Sequence, residues 1–170
     1  SGAANDGGAA ASTVLNSPHG LALDSTNNRL FVADTTNNRI LVFNLSTSNN
    51  FTGLDRTADN VLGQANFTAT GAACNQAGVS TPTALSYDST NKRLFAADSD
   101  NNRVLMYDVT SIADGENAAN VLGQTNFTNA TQANTQAGMN NPTDVTYSAA
   151  SGSRLYVAQQ TANRVTVYDV

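Results

Sequence analysis

Short apolar runs separated by polar, Asn-rich segments make up most of the chain. The first group of such runs spans residues 20–24, 29–34, 39–44 and 60–64. Runs this short, with Asn-rich tetrads between them, favour strands joined by tight turns over helices. Asn tolerates the positive φ that tight hairpins require. The pattern therefore predicts a unit of four antiparallel strands.

The same unit recurs along the chain. Arg29-Leu-Phe-Val-Ala-Asp34 has counterparts at 93–98 and 154–159, and Asn60-Val-Leu-Gly-Gln64 has one at 120–124. Self-similarity at a fixed period indicates a repeat architecture. We therefore interpret 1–170 as one segment of just under three units. The repeats are 18–81, 82–141 and an incomplete 142–170, with 1–17 standing where the tail of a preceding repeat would be.

The central runs lack the alternation of a sheet with one wet face. Leu30-Phe-Val-Ala33 and Ile40-Leu-Val-Phe43 are apolar at consecutive positions, so both faces of each sheet are expected to be buried. Small four-stranded sheets stacked through both faces are the blades of a β-propeller. About three blades cannot close a ring alone. The pattern therefore predicts an all-β partial propeller, or half of a six-bladed ring, whose end sheets leave apolar faces open.

These motifs carry a family resemblance. Pro18-His-Gly-Leu-Ala-Leu-Asp24, followed by the strands up to Phe43, resembles an NHL repeat. The Val61-Leu-Gly-Gln-x-Asn-Phe-Thr68 that follows is similar to the long-period NHL repeats of secreted bacterial proteins. The resemblance extends over residues 18–170 and implies a β-propeller, commonly of six blades. The third repeat departs from the pattern, since Gln159 replaces the aspartate of the other two.

The most prominent polar feature is an Asp-x-x-Asn-Asn-Arg unit at the second hairpin of the repeats. One interpretation places these side chains on the rim of a ligand site. We favour the other, in which Asp and Asn hold the hairpin backbone while Arg pairs with an Asp or covers apolar surface. A unit present in every repeat does not bring unlike groups to one point, as a site requires. The residues are Asp34, Asn38, Arg39, Asp98, Asn102, Arg103, Asn163 and Arg164.

Composition and the remaining reactive residues limit the chemistry. Thirteen acidic and 8 basic side chains give a net charge of −5, with the Arg residues spread out, which argues against a nucleic-acid partner. No apolar run approaches the roughly 20 residues of a membrane span. His19 and Cys74 each stand alone, so no catalytic residue, metal ligand or cofactor is predicted. An axial calcium site at Asp24 and Asp88 stays an open alternative, although Ser148 breaks the series.

Composition and possible glycosylation sites indicate the cellular location of the protein. The chain is acidic, contains 23 Asn and has one Lys, a composition that favours an extracellular or cell-surface protein. The number of Asn-x-Ser/Thr sequons is about that expected by chance. Most of them lie in or beside predicted loops, where a glycan would fit. The sequons that could be glycosylated begin at Asn44, Asn50, Asn66, Asn126 and Asn129.

Together these features predict a non-catalytic extracellular binding or scaffold module. The expected partner is protein, above all another copy joined through the exposed blade faces, or further blades that complete the ring; glycan is a second candidate. The long connections 65–81 and 125–141 fall on one side of the propeller, the default binding face. One alternative is a structural subunit of a self-assembling filament or oligomer. The other is part of an NHL-like lyase or hydrolase, which the resemblance allows and the residue inventory opposes.

Overall fold

The computed structural model of the protein describes residues 10–51, 57–150 and 152–170. In this part of the chain, eleven strands form three antiparallel sheets, which we call blades 1, 2 and 3. Blade 1 consists of β1 (Pro18–Asp24), β2 (Arg29–Asp34), β3 (Arg39–Asn44) and β4 (Asn60–Leu62). Blade 2 consists of β5 (Pro82–Asp88), β6 (Arg93–Asp98), β7 (Arg103–Asp108) and β8 (Asn120–Leu122). Blade 3 consists of β9 (Pro142–Ser148), β10 (Arg154–Gln159) and β11 (Arg164–Asp169).

Each blade is a meander in which consecutive strands pair, as the sequence predicted. The second hairpin of blade 1 closes through a 3-10 turn at Thr35–Asn37, followed by Asn38 with φ of 50°. Asn102 repeats this conformation with φ of 52°, and Asn163 with φ of 50°. The Asn residues thus occupy the left-handed region that the hairpins require.

The fourth strand is shorter than predicted. The pattern extended it to Gln64, whereas β4 ends at Leu62. Gly63 takes φ of +79° and turns the chain out of the sheet, a conformation that a side chain would strain. The Gln64 side chain then faces the hairpin instead of a neighbouring strand. Gly123 plays the same part in blade 2, with φ of +87°.

The core lies between the blades, which explains why consecutive strand positions are apolar. Phe31 of blade 1 packs in one cluster with Leu94 and Leu105 of blade 2. Phe95 of blade 2 packs in a second cluster with Leu155 of blade 3. Both faces of blade 2 are therefore buried against neighbours, as the pattern predicted. No helix in the described ranges is long and apolar enough to cross a membrane.

Candidate functional site

The Asp–Arg units at the second hairpins are buried inside the blades. The Asp34 carboxylate accepts hydrogen bonds from Arg39 Nε at 2.6 Å, from Asn37 Nδ2 at 2.9 Å and from the Asn16 backbone N–H at 2.6 Å. The side chains of Asp34 and Arg39 are both fully buried. Side chains closed off from solvent in this way cannot contact a ligand at the rim.

Blade 2 repeats this arrangement with Asp98 and Arg103. Asp98 accepts from Arg103 Nε at 2.6 Å and from the Ser80 backbone N–H at 2.6 Å. Arg103 also donates through Nη2 to the carbonyls of Asn75 at 3.0 Å and Gly78 at 2.9 Å, and through Nη1 to that of Phe127. One guanidinium thus holds the long connection before its blade and the one after it.

In the third repeat the arginine still hydrogen-bonds the long connection, but its partner in the hairpin is a neutral side chain. Arg164 donates through Nε and Nη2 to Gln159 Oε1, at 3.2 and 3.0 Å. Its Nη2 also reaches the carbonyls of Thr135 at 2.9 Å and Gly138 at 2.8 Å. The Gln159 side chain also donates through Nε2 to Thr166 Oγ1 at 2.8 Å. The substitution therefore replaces an ion pair with a neutral hydrogen bond.

The Asn residue before each arginine bridges a hairpin to the connection that follows the blade. Asn102 Nδ2 donates to the Ala130 carbonyl at 3.0 Å, and its Oδ1 accepts from the Asn141 backbone N–H at 2.9 Å. Its own carbonyl accepts from Gln124 Nε2 at 2.8 Å. Asn38 makes the corresponding bonds in blade 1. Asn163 has the same backbone conformation at the exposed end of blade 3.

Asp24 and Asp88, the candidates for an axial calcium site, lie at the opposite hairpins. Asp24 Oδ2 accepts from Arg29 Nη2 and from Asn27 Nδ2, both at 2.7 Å, and Asp88 accepts equivalently from Arg93. Each carboxylate is fully buried and already neutralised by its arginine. In the described part of the chain no group of three His, Cys, Asp or Glu residues is arranged to hold a metal.

These bonds determine how Asp24 titrates. Burial by itself would raise the pKa, but the hydrogen bonds from Asn27 and Arg29 outweigh it and lower the pKa from 3.8 to about 2. A depressed pKa means that the ionised carboxylate stabilises the fold above pH about 4, and that this contribution is lost as the pH falls towards about 2. Asp88 is shifted in the same direction.

The Asp24→Asn variant should therefore lose stability at neutral pH and become less sensitive to acid. We expect a loss of about 2 kcal/mol in the free energy of unfolding at pH 7, shrinking as the pH falls from about 4 to 2. Urea unfolding at several pH values measures it. Asp169→Asn is the matched control, because Asp169 is exposed and its arginine lies 3.4 Å away. An equal loss of stability in both variants would contradict the conclusion that the buried, ionised Asp24 carboxylate stabilises the fold.

His19 and Cys74, the two reactive residues that stand alone in the sequence, lie in different parts of the fold. His19 is exposed on β1. Cys74 is half-buried, and its Sγ donates to the Asn129 carbonyl at 3.3 Å. Among the described residues, the hydrogen bonds of this thiol go to two backbone carbonyls, those of Phe127 and Asn129.

The sequons differ in exposure. Asn66 and Asn126 are exposed, and their Oδ1 atoms accept from the hydroxyl and backbone N–H of the threonine two positions on. Asn44 and Asn50 are exposed as well, although Asn44 ends β3. Asn129 is half-buried, and its amide donates to Thr125 Oγ1 at 2.8 Å.

Apolar side chains are exposed on the outer face of blade 3, which we call the trailing face. Tyr156, Val165 and Val167 are 41, 63 and 36% exposed. The residues at the positions of Tyr156 in blades 1 and 2 are Phe31 and Phe95, which are at most 1% exposed. Their rings pack on Tyr87 and Tyr147 of the next blade, with centroids 6.0 and 5.8 Å apart. Within residues 10–51, 57–150 and 152–170, the trailing face thus has the residues of a blade interface, but no other blade packs on it.

The opposite surface of blade 1, the leading face, is open only along its first strand. Leu21 and Leu23 on β1 are 61 and 48% exposed. Farther out, Leu41 and Val61 are buried in a cluster that Leu15 and Phe67 help to cover. The prediction that the first sheet exposes its apolar face was therefore wrong for the outer part of this sheet, because Leu15 and Phe67, from the segments before β1 and after β4, pack over it.

Comparison with known proteins supports the fold. Residues 15–43 match the family model of the NHL repeat. The hydrazine synthase of Kuenenia stuttgartiensis is similar in structure, with 11% identity and a TM-score of 0.54 over 85% of this chain and 30% of that one. U3-55K and the WD40 repeats of RRP9 are also similar, each with 11% identity and a TM-score of 0.60 over 91% of this chain and 36% of theirs.

The chain therefore spans about a third of the length of these solved structures. No curated protein sequence matches it. At 11% identity the structural similarity shows the fold alone. The match to the repeat and the propeller neighbours confirm the predicted NHL resemblance and the all-β propeller architecture.

Proposed function

We propose that this propeller segment with its NHL repeat is a non-catalytic extracellular binding or scaffold module, completed by a second copy or by further blades. The observation that carries the proposal is the apolar surface that the described residues leave exposed at each end of the stack, on the trailing face and along β1 of the leading face. Contiguous exposed apolar surface marks interaction sites. The buried carboxylates, in contrast, are engaged by arginines and are not available for acid–base chemistry.

The two ends are complementary to each other. Tyr156 on the trailing face corresponds to Phe31 and Phe95, whose partners across the blade interfaces are Tyr87 and Tyr147. The position equivalent to these tyrosines in blade 1 is Leu23, which is exposed on the leading face. A second copy placed as the next blade would therefore bring its Leu23 onto Tyr156.

The same head-to-tail contact supports two assemblies. If the rotation between copies closes, two copies of three sheets form a six-bladed ring. If it does not close, copies add into a filament, which is the alternative function of a structural assembly subunit. Exposed sequons such as Asn66 and Asn126, together with the acidic, Lys-poor surface, support placing either assembly outside the cell.

Charging one end should abolish self-association. We expect the protein to sediment at a multiple of 17.6 kDa and the Tyr156→Arg variant to sediment as a single chain, because an unpaired charge cannot be buried at the interface. Adding Leu23→Glu to the same chain should restore association through a new ion pair. Analytical ultracentrifugation at micromolar concentration measures all three proteins.

The matched control is Ser89→Arg, which places the same charge at the exposed first hairpin of blade 2, away from both end faces. It should leave the mass of the particle unchanged. A wild-type protein that stays monomeric at micromolar concentration would overturn completion by a second copy. A ladder of masses rather than a dimer would favour the filament.

A further inference from the structure

A short turn of blade 2 covers the outer edge of blade 1. It consists of residues 113–116, in the connection between β7 and β8, and we call it the edge turn. Asp114 Oδ1 accepts the Val61 backbone N–H at 3.0 Å and Asn60 Nδ2 at 3.2 Å. The Gly115 backbone N–H donates to the Val61 carbonyl at 3.0 Å. The edge turn therefore occupies the backbone groups through which β4 could pair with another strand.

The edge turn fits closely against blade 1, while the chain after it is fixed separately. Gly115 has φ of +69°, and a Cβ at this position would lie 3.0 Å from Ala65 Cα, so the contact requires glycine. Farther along, the Ala118 backbone N–H donates to the Gln76 carbonyl at 2.8 Å, and Gln76 Nε2 donates to the Ala118 carbonyl at 2.9 Å. The edge turn can therefore leave β4 without detaching the rest of the connection.

Glu116 closes the edge turn at a cost to its own charge. Its Oε2 accepts the Ala113 backbone N–H at 2.9 Å, and its backbone N–H donates to the Ala113 carbonyl at 3.3 Å. Its Oε1 is buried and has no hydrogen-bond partner among the described residues. Because a buried charged oxygen without a partner is unfavourable, the closed turn disfavours the ionised carboxylate.

The charged groups around Glu116 come from two strands and from the edge turn itself. Asp108 at the end of β7 carries the same charge, as does Asp114 two positions earlier in the turn. Arg29 on β2 has the opposite charge, but its guanidinium already pairs with a buried aspartate at 2.7 Å. The Tyr107 hydroxyl on β7 is neutral, because burial raises its pKa. Repulsion is therefore not balanced by an ion pair of Glu116 in the described part of the chain.

These surroundings set the direction in which Glu116 titrates. Burial raises its pKa above the ordinary 4.5 and the Asp108 charge adds to this, whereas the Ala113 N–H and Arg29 oppose it without cancelling it. Hydrogen bonds from Thr110 lower the pKa of Asp108, so Asp108 stays ionised while Glu116 takes up a proton. A raised pKa in the closed state means that closure is favoured at pH below 4.5 and is weakened as the pH rises through the raised value.

We propose that the edge turn is a pH-dependent latch, which closes over β4 in mildly acidic solution and opens more often near neutral pH. Protonation of Glu116 removes its repulsion from Asp108 and lets the turn close. Opening exposes the N–H and carbonyl of Val61, and such edge groups are a template for pairing with an extended chain. The latch lies within blades 1 and 2, so it goes beyond the proposed function and does not depend on self-association.

Amide hydrogen exchange followed by NMR on the intact protein tests the latch. The Gly115 amide should be protected at least about threefold more at pH about 5 than at pH about 7.5, after correction for the intrinsic exchange rates. Glu116→Gln keeps an oxygen acceptor for Ala113 and removes the charge, so its protection at neutral pH should rise to the acidic level. Asp144→Asn is the matched control, because Asp144 is an exposed carboxylate on β9 of blade 3, and it should leave the difference unchanged.

The pH dependence of the whole blade is measured in the same experiment. Burial raises the pKa of Asp98 to about 6, so Asp98 titrates in the same range. Its effect is on unfolding of blade 2, which the amide of Leu105 reports, since Leu105 lies in β7 and is 0% exposed. In Glu116→Gln, the pH dependence that remains at Gly115 should not exceed that at Leu105.

Two outcomes would overturn the proposal. One is wild-type protection of Gly115 that does not fall between pH about 5 and about 7.5. The other is a fall in Glu116→Gln that is as large as in the wild type and exceeds the fall at Leu105. Tyr156→Arg should show the same fall at Gly115 as the wild type, so that failure of self-association and failure of the latch are separate results.

Discussion

The Arg103→Met variant should lose about 3–5 kcal/mol of the free energy of unfolding, because it leaves a fully buried carboxylate without its counter-ion. Asp98 is 0% exposed and its main partner is Arg103 Nε at 2.6 Å. The carbonyls of Asn75, Gly78 and Phe127 lose their donor at the same time. Urea unfolding followed by circular dichroism measures the loss.

Arg164→Met is the matched control, because Arg164 likewise donates hydrogen bonds to carbonyl groups of the long connection that precedes its blade. Its partner there is the neutral Gln159, and Arg164 itself is only half-buried. We expect its loss to be less than half as large, since no charge is left unpaired. An equal loss in both variants would mean that the carbonyl ties, and not the ion pair, carry the effect.

The strands and their stacking could be predicted because they depend on local patterns. Runs of about four apolar residues between Asn-rich turns indicate strands, and apolar residues at consecutive positions indicate sheets buried on both faces. The Asn38 and Asn102 turns follow from the tolerance of Asn for positive φ. Each of these sequence patterns lies within a few residues of the strand or turn that it predicts.

The role of the hairpin arginines could not be predicted in the same way. Arg103 contacts carbonyl groups 24 to 28 positions away in the chain, and a backbone carbonyl has no signature in the sequence. The end of β4 at Leu62 had a signal in Gly63, whose positive φ breaks the strand. The cover over the outer leading face was also missed, because it depends on the path of two connections.

The Phe95→Ala variant should lose about 3–5 kcal/mol, whereas Tyr156→Ala at the equivalent position should lose less than about 1 kcal/mol. Phe95 is 1% exposed and stacks on Tyr147, with Arg93 Cζ 5.5 Å from its ring centroid. Truncation therefore leaves a cavity between two blades. Tyr156 is 41% exposed, so truncating it removes a side chain that solvent already reaches.

Protein concentration separates the two explanations for any larger effect at Tyr156. Unfolding coupled to dissociation shifts with protein concentration, whereas loss of a contact within one chain does not. If a second copy covers the trailing face, the loss for Tyr156→Ala grows when wild type and variant are compared at higher concentration, and the loss for Phe95→Ala stays constant. A large, concentration-independent loss at Tyr156 would instead mean that the chain itself covers this face, which would contradict the trailing face as an interaction surface.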